Sequence, residues 1–198
     1  MESNLVLYEV VQYLSQIFRN TEAGKSDFGV IVAPFILTKY EESIMALTIR
    51  STAFENGASI PVEHSCDGDN TSPPLNWEDE PGGTVTFALI MEDPDAPGGT
   101  FAHWIVYNLP SHCHGLEKTI PIEKNLENGG IQGKNDFGKT GYGGPCPPRG
   151  EEHRYSFRIF ALKKKLPPES ANKAESFYQA LNGLILERAE YTGKYRRK

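Results

Sequence analysis

The chain has 198 residues, 38% of them hydrophobic and 23% charged, enough to bury one full core and close to the length of a single domain. Its formal charge of -6 excludes a broad electrostatic attraction to nucleic acid or to an anionic membrane surface, so any anion site must be local. No apolar run approaches the ~20 residues that span a bilayer, Val30 to Leu37 being short and broken by Pro34.

In chain order, residues 5–18 place Leu7, Val10, Val11, Leu14, Ile17 and Phe18 at the spacing of an amphipathic helix within an N-terminal extension, residues 1–44. Three roles stay open for it: docking on its own domain, a homodimer contact, or none, since Met45 opens a segment that reads like a fresh start. Met1-Glu2-Ser3-Asn4 lacks the basic region of a signal peptide. Cys66, Cys113 and Cys146 cannot all pair with one another, and there is no C-x-x-C, so a reducing cytoplasm is the simpler reading, with the redox state of each cysteine left open.

After Met45 the texture changes. Of 14 prolines, 13 follow residue 45, many beside Gly, Asp or Asn, and such punctuation breaks helices and marks turns. Between the turns lie runs rich in β-branched and aromatic residues, at Leu47 to Ser51, Thr84 to Met91, Ala102 to Asn108 and Tyr155 to Leu162. Residues 45–198 therefore form an all-β-dominated antiparallel sandwich. The run from Thr84 turns continuously apolar toward Ile90, as in a central strand covered on both faces. A C-terminal helix is predicted from about Asn172 to Ile185, with a short strand near Leu186 to Tyr191. The basic clusters Lys163-Lys164-Lys165 and Lys194, Arg196, Arg197, Lys198 read as solvated faces.

Four stretches combine a rigid turn with polar side chains that a plain sandwich does not need. They are Cys66 to Trp77, with Pro73-Pro74; Asp93-Pro94-Asp95-Ala96-Pro97; His103-Trp104; and Gly143 to Pro148 followed by His153-Arg154-Tyr155. In order and spacing they resemble the signatures of the phosphatidylethanolamine-binding protein (PEBP) family, particularly its bacterial and archaeal Raf-kinase-inhibitor-like branch. The closing segment from Leu181-Asn182-Gly183 to Gly193-Lys194-Tyr195 extends the likeness.

The resemblance implies a Greek-key β-sandwich with one pocket lined by Asp93, His103, Gly144, Pro145, His153 and Tyr155, with Pro74 as a wall. It also implies that the chain lacks the additional C-terminal helix of animal relatives, leaving the pocket more open. Two imidazoles and the backbone N–H groups of Gly143 and Gly144 suit a phosphate-type anion. Asp93 is expected to orient a histidine or to receive an ammonium group, and Asp95 to cap a turn. Trp77 and Trp104 are expected in the core or pocket wall, and His64, His112 and His114 on the surface.

A binding protein for a small phosphorylated ligand or a phospholipid head group follows, with no cofactor, no nucleic acid and no transmembrane segment. The resemblance adds a kinase or protease as protein partner. The enzyme alternatives are a Cys146–His153 pair and a metal held by Asp93, His103 and His153.

Overall fold

The computed structural model describes residues 46–198. The 1–44 extension and the helix expected over residues 5–18 lie outside the described residues. Among the described residues, eight strands make two antiparallel sheets. The smaller contains β1 (Thr48–Arg50), β2 (Leu75–Glu78) and β5 (Gly115–Leu116), in the order β1-β2-β5. The larger contains β3 (Thr86–Asp93), β4 (Phe101–Pro110), β6 (Ile131–Gln132), β7 (Glu152–Leu162) and β8 (Ile185–Arg196), in the order β6-β4-β3-β7-β8.

The central position of β3 accounts for its lack of alternation. Phe87, Leu89 and Met91 pack with Trp77, Leu75, Trp104 and Phe157 in the core that the small sheet shares. Ala88 and Ile90 face the other way, into a second cluster with Ile105, Tyr107, Phe160 and residues Phe177 and Leu181 of the single described helix α1 (Ala174–Leu181). Every residue of β3 is buried. Both tryptophans are fully buried, as expected.

Helix α1 is shorter than its apolar spacing suggested. Gly183 adopts a φ of +70°, a left-handed conformation that ends a helix at little steric cost. The chain then turns directly into β8, a 12-residue strand rather than a short one.

One buried charge is held between α1 and the sheet. Glu92 accepts bonds from Arg158 Nη1 and Tyr178 Oη, each at 2.6 Å, and Arg158 also pairs with Glu190 at 3.1 Å. Burial and the neighbouring Glu92 push the Tyr178 phenol up to about 12.

One expectation is corrected. His64 is fully buried, with Nδ1 at 2.8 Å from the Thr71 carbonyl, because the short 3-10 turn at Val62–His64 folds it under the following loop. Cys66 and Cys146 form a disulfide, with Cα atoms 5.4 Å apart, and only Cys113 is a free thiol. Spacing could not indicate that pair, since 80 residues separate the two sulfurs.

Candidate functional site

Three elements of the large sheet end at one cavity of about 340 Å³. Asp93 closes β3, His103 lies near the start of β4, and His153 lies near the start of β7; all three line the cavity and all are buried. His103 is aimed by a break in the ladder. Met91 pairs with Trp104 and Glu92 with Ala102, so His103 has no partner on β3, which is the two-against-one count of a β-bulge.

The two imidazoles are pushed in opposite directions. His103 Nδ1 faces the Gly143 carbonyl at 2.7 Å, which places the ring hydrogen on Nδ1 and leaves Nε2 with its lone pair. Burial pushes the pKa of His103 below its ordinary value, outweighing its hydrogen bond and nearby carboxylates, so the ring is neutral at pH 7. Burial also opposes charge on His153, but the Asp93 and Glu151 carboxylates outweigh it and raise that pKa. His153 Nδ1 lies 2.8 Å from Asp93 Oδ2, and its Nε2 makes a longer, 3.3 Å contact with the exposed Glu151 carboxylate. The site thus favours charge on His153 and disfavours it on His103.

Asp93 is fully engaged. Its Oδ1 accepts the Asp95 N–H at 2.9 Å, closing the turn, while Oδ2 holds His153. It therefore orients a histidine, the first of its two expected roles. The turn cap is Asp93 and not Asp95. The Asp95 carboxylate instead takes Arg154 through Nε at 2.9 Å and Nη2 at 2.6 Å, and also accepts the Arg154 backbone N–H. These bonds lower its pKa to about 2.

Four of the expected pocket residues, Gly144, Pro145, Tyr155 and Pro74, do not line the cavity. The Gly144 N–H donates to Asn70 Oδ1 at 2.7 Å and the Gly143 N–H to the His103 carbonyl at 2.9 Å, so neither is available to an anion. The Pro145 carbonyl accepts the Cys66 N–H at 3.1 Å. Tyr155 is fully buried with its ring edge-on to His103, centroids 5.2 Å apart, and buttresses that imidazole. Its hydroxyl makes no hydrogen bond of normal geometry, and burial with the charge of Asp93 beside it raises the phenol pKa far above the usual value. Pro74 lies before β2, its carbonyl bonded to Ser51 Oγ, in the segment that feeds the small sheet.

The loop carrying Gly144 and Cys146 is fixed to the segment around residues 62–72. Tyr142 Oη donates to the His64 carbonyl at 2.6 Å, and the Cys66–Cys146 bond closes the junction. That bond removes the thiol on which a Cys146–His153 nucleophile depends. Among the described residues, Asp93, His103 and His153 do not form a metal-ligand cluster.

Sequence reasoning missed two walls. Phe101 and Phe137 stack against His103 and each other, with centroids 4.7 to 5.2 Å apart, and make one side aromatic. Phe101 sits two residues before His103, and the period-2 alternation of a strand could have flagged it. Arg197 lines the cavity as well.

The comparisons agree with this architecture. The sequence profile described as phosphatidylethanolamine-binding protein matches residues 50–196. The chain belongs to the PEBP family. Relatives named only as UPF0098 proteins share 47% identity over 174 residues in Aquifex aeolicus and 42% over 151 residues in Methanothermobacter thermautotrophicus. These alignments cover 85% and 76% of this chain and 98% and 99% of the relatives. Two solved PEBP-family structures superpose with a TM-score of 0.71 at 36% identity. One is the PEBP homolog CT736 of Chlamydia trachomatis, covering 78% of this chain and 99% of that one. The other is Escherichia coli YbcL, described as a member of the mammalian PEBP family, covering 77% and 99%. This PEBP-family chain is therefore a PEBP-like binding protein, and none of its described helices is long and apolar enough to cross a membrane.

Proposed function

We propose that the cavity binds a small phosphorylated anion, either free or as a phospholipid head group, with His153 as the donor to phosphate. The observation that carries this reading is the pairing of a raised His153 pKa with a replaceable Nε2 partner. Asp93 holds the ring and favours its charge, while Glu151, on the exposed side, makes only a 3.3 Å contact that a phosphate oxygen can displace. The neutral His103 can accept a hydrogen bond at Nε2, and Phe101 and Phe137 beside it offer ring faces to a cation. A phosphoethanolamine lying across the cavity would put its phosphate at His153 and its ammonium toward His103.

The test is an NMR titration with inorganic phosphate and with phosphoethanolamine, following the imidazole signals of His103 and His153. Saturable shifts at His153 with both ligands, and a stronger response of His103 to the amine-bearing one, are expected. No shift at millimolar ligand removes the anion reading.

The proposal is for binding rather than turnover, because the cysteine that the nucleophilic alternative requires is bonded to Cys66. The cytoplasmic location expected from cysteine usage conflicts with that bond, since structural disulfides persist mainly in oxidising compartments. Alkylating the protein during cell lysis and counting modified thiols decides the point. One modified cysteine places the native protein in an oxidised state, and three restore the cytoplasmic reading.

A further inference from the structure

The charged and titratable side chains that line the cavity are Asp93, His103, His153 and Arg197. The carboxylates of Asp93 and Glu151 both face His153, and Asp93 is already spent on orienting that ring. An anion entering such a wall needs a second cation, and Arg197 is positioned to be it.

Several bonds fix where Arg197 sits. Its N–H donates to the Glu151 carbonyl at 3.2 Å, and its carbonyl accepts the Gly150 N–H at 2.8 Å, so its backbone continues the β7–β8 ladder beyond the last strand pair. His153 lies opposite Tyr195, and Arg197, bonded to the Glu151 carbonyl, follows Tyr195 by two residues. Period-2 alternation therefore puts Arg197 on the face that carries His153. The Asp67 carboxylate then holds the guanidinium at Nε, 3.1 Å away, and among the described residues the two Nη groups have no partner. Asp67 is itself anchored by the Tyr195 hydroxyl at 2.9 Å, and that bond, ahead of Arg197, holds its carboxyl below the usual range against the opposing effect of burial. A flexible tail charge has become an oriented fork.

We propose that Arg197 is the specificity-determining residue of this cavity, its Nη groups binding the anion beside His153 so that a phosphate dianion is selected over a carboxylate. The inference rests on the anion reading above and assigns it a second contact. A guanidinium fork matches two oxygens of a tetrahedral phosphate while His153 takes a third, whereas a carboxylate has only two oxygens to share between both groups.

The experiment measures binding of inorganic phosphate and of acetate at pH 7.5 by calorimetry, in wild type, Arg197→Gln, Arg197→Lys and Asp67→Asn. Arg197→Gln should lose about 10- to 100-fold in phosphate affinity, the size of one charge-assisted contact. Its ligand-free His153 signal and thermal midpoint should stay those of wild type. The preference for phosphate over acetate should collapse in the same variant. Arg197→Lys keeps the charge without the fork and should fall between, as should Asp67→Asn, which frees the guanidinium to move.

Phosphate binding by Arg197→Gln within about twofold of wild type overturns the assignment and leaves the anion reading standing. Equal weakening of phosphate and acetate overturns the claim of selection. A wild type that binds neither anion overturns the anion reading and this inference together.

Discussion

Gly144 offers the sharpest test of how the cavity is built. A Cβ placed there would lie 2.3 Å from the His64 carbonyl oxygen, 2.7 Å from Asn70 Oδ1 and 2.9 Å from Ser65 Cα, all inside van der Waals contact. Relief requires the two loops to separate, because two of the three obstacles are backbone. His64 is fully buried, and its carbonyl is the acceptor for Tyr142 Oη. Gly144→Ala should therefore incur an overpacking penalty of about 1–3 kcal/mol and weaken the Gly144–Asn70 and Tyr142–His64 bonds at about 0.5–1.5 kcal/mol each. The total, about 2–6 kcal/mol, lowers the midpoint of thermal unfolding by roughly 4–24 °C in a domain of this size, at about 2–4 °C per kcal/mol. Scanning calorimetry checks it, with Gly98→Ala as control. Nothing lies within 4 Å of a Cβ at Gly98, and that change should stay within about 0.5 kcal/mol of wild type. A Gly144→Ala protein that melts with the control would show that the glycine serves some purpose other than close approach of the loops.

Other perturbations have defined outcomes. Asp93→Asn should lower the imidazole midpoint of His153 in an NMR pH titration, since the partner that favours its charge is gone while burial remains. Because the folded-state pKa of His153 is raised, its contribution to stability is complete below the ordinary value of 6.5 and disappears as pH rises through the folded value. Denaturation across that window should show this slope in wild type and lose it in Asp93→Asn. Reducing Cys66–Cys146 should destabilise the domain by about 4 kcal/mol, the chain-entropy value for a ring of 80 residues, read as a shift in urea midpoint between oxidised and reduced protein. Glu92→Gln should cost about 1–3 kcal/mol and bring Tyr178 down from about 12 toward 10 in an ultraviolet titration.

What the sequence revealed and what it hid follow from the range of each interaction. The unbroken apolar run of β3 announced a strand covered on both faces, because burial of each side chain is written in its own residue type. Asp93, His103 and His153 were legible through rigid turns and their order along the chain. The roles of Gly143 and Gly144 were not, since their N–H groups are taken up by His103 and by Asn70, a partner 74 residues away. Arg197 read as a solvated tail charge because nothing local distinguishes it. Only the β7–β8 register and the carboxylate of Asp67 bring it to the cavity. Phe137, in a loop and half exposed, carries no signal of its contact with Phe101.

The Cys66–Cys146 bond also divides the molecule as a covalent ring. Asp93, His103 and Phe101 lie inside it, and His153 and Arg197 outside, so the two sides of the cavity belong to different topological parts of the chain. The seam between them is the β3–β7 ladder, from Thr86 opposite Leu162 to Glu92 opposite Ser156. A ligand that touches both sides therefore acts as a rivet across that seam, and its binding energy adds directly to the work of parting those strands. Amide protons along Phe87 to Met91 should exchange more slowly when the cavity is filled, making the innermost hydrogen bonds of the sheet a remote gauge of occupancy at its rim.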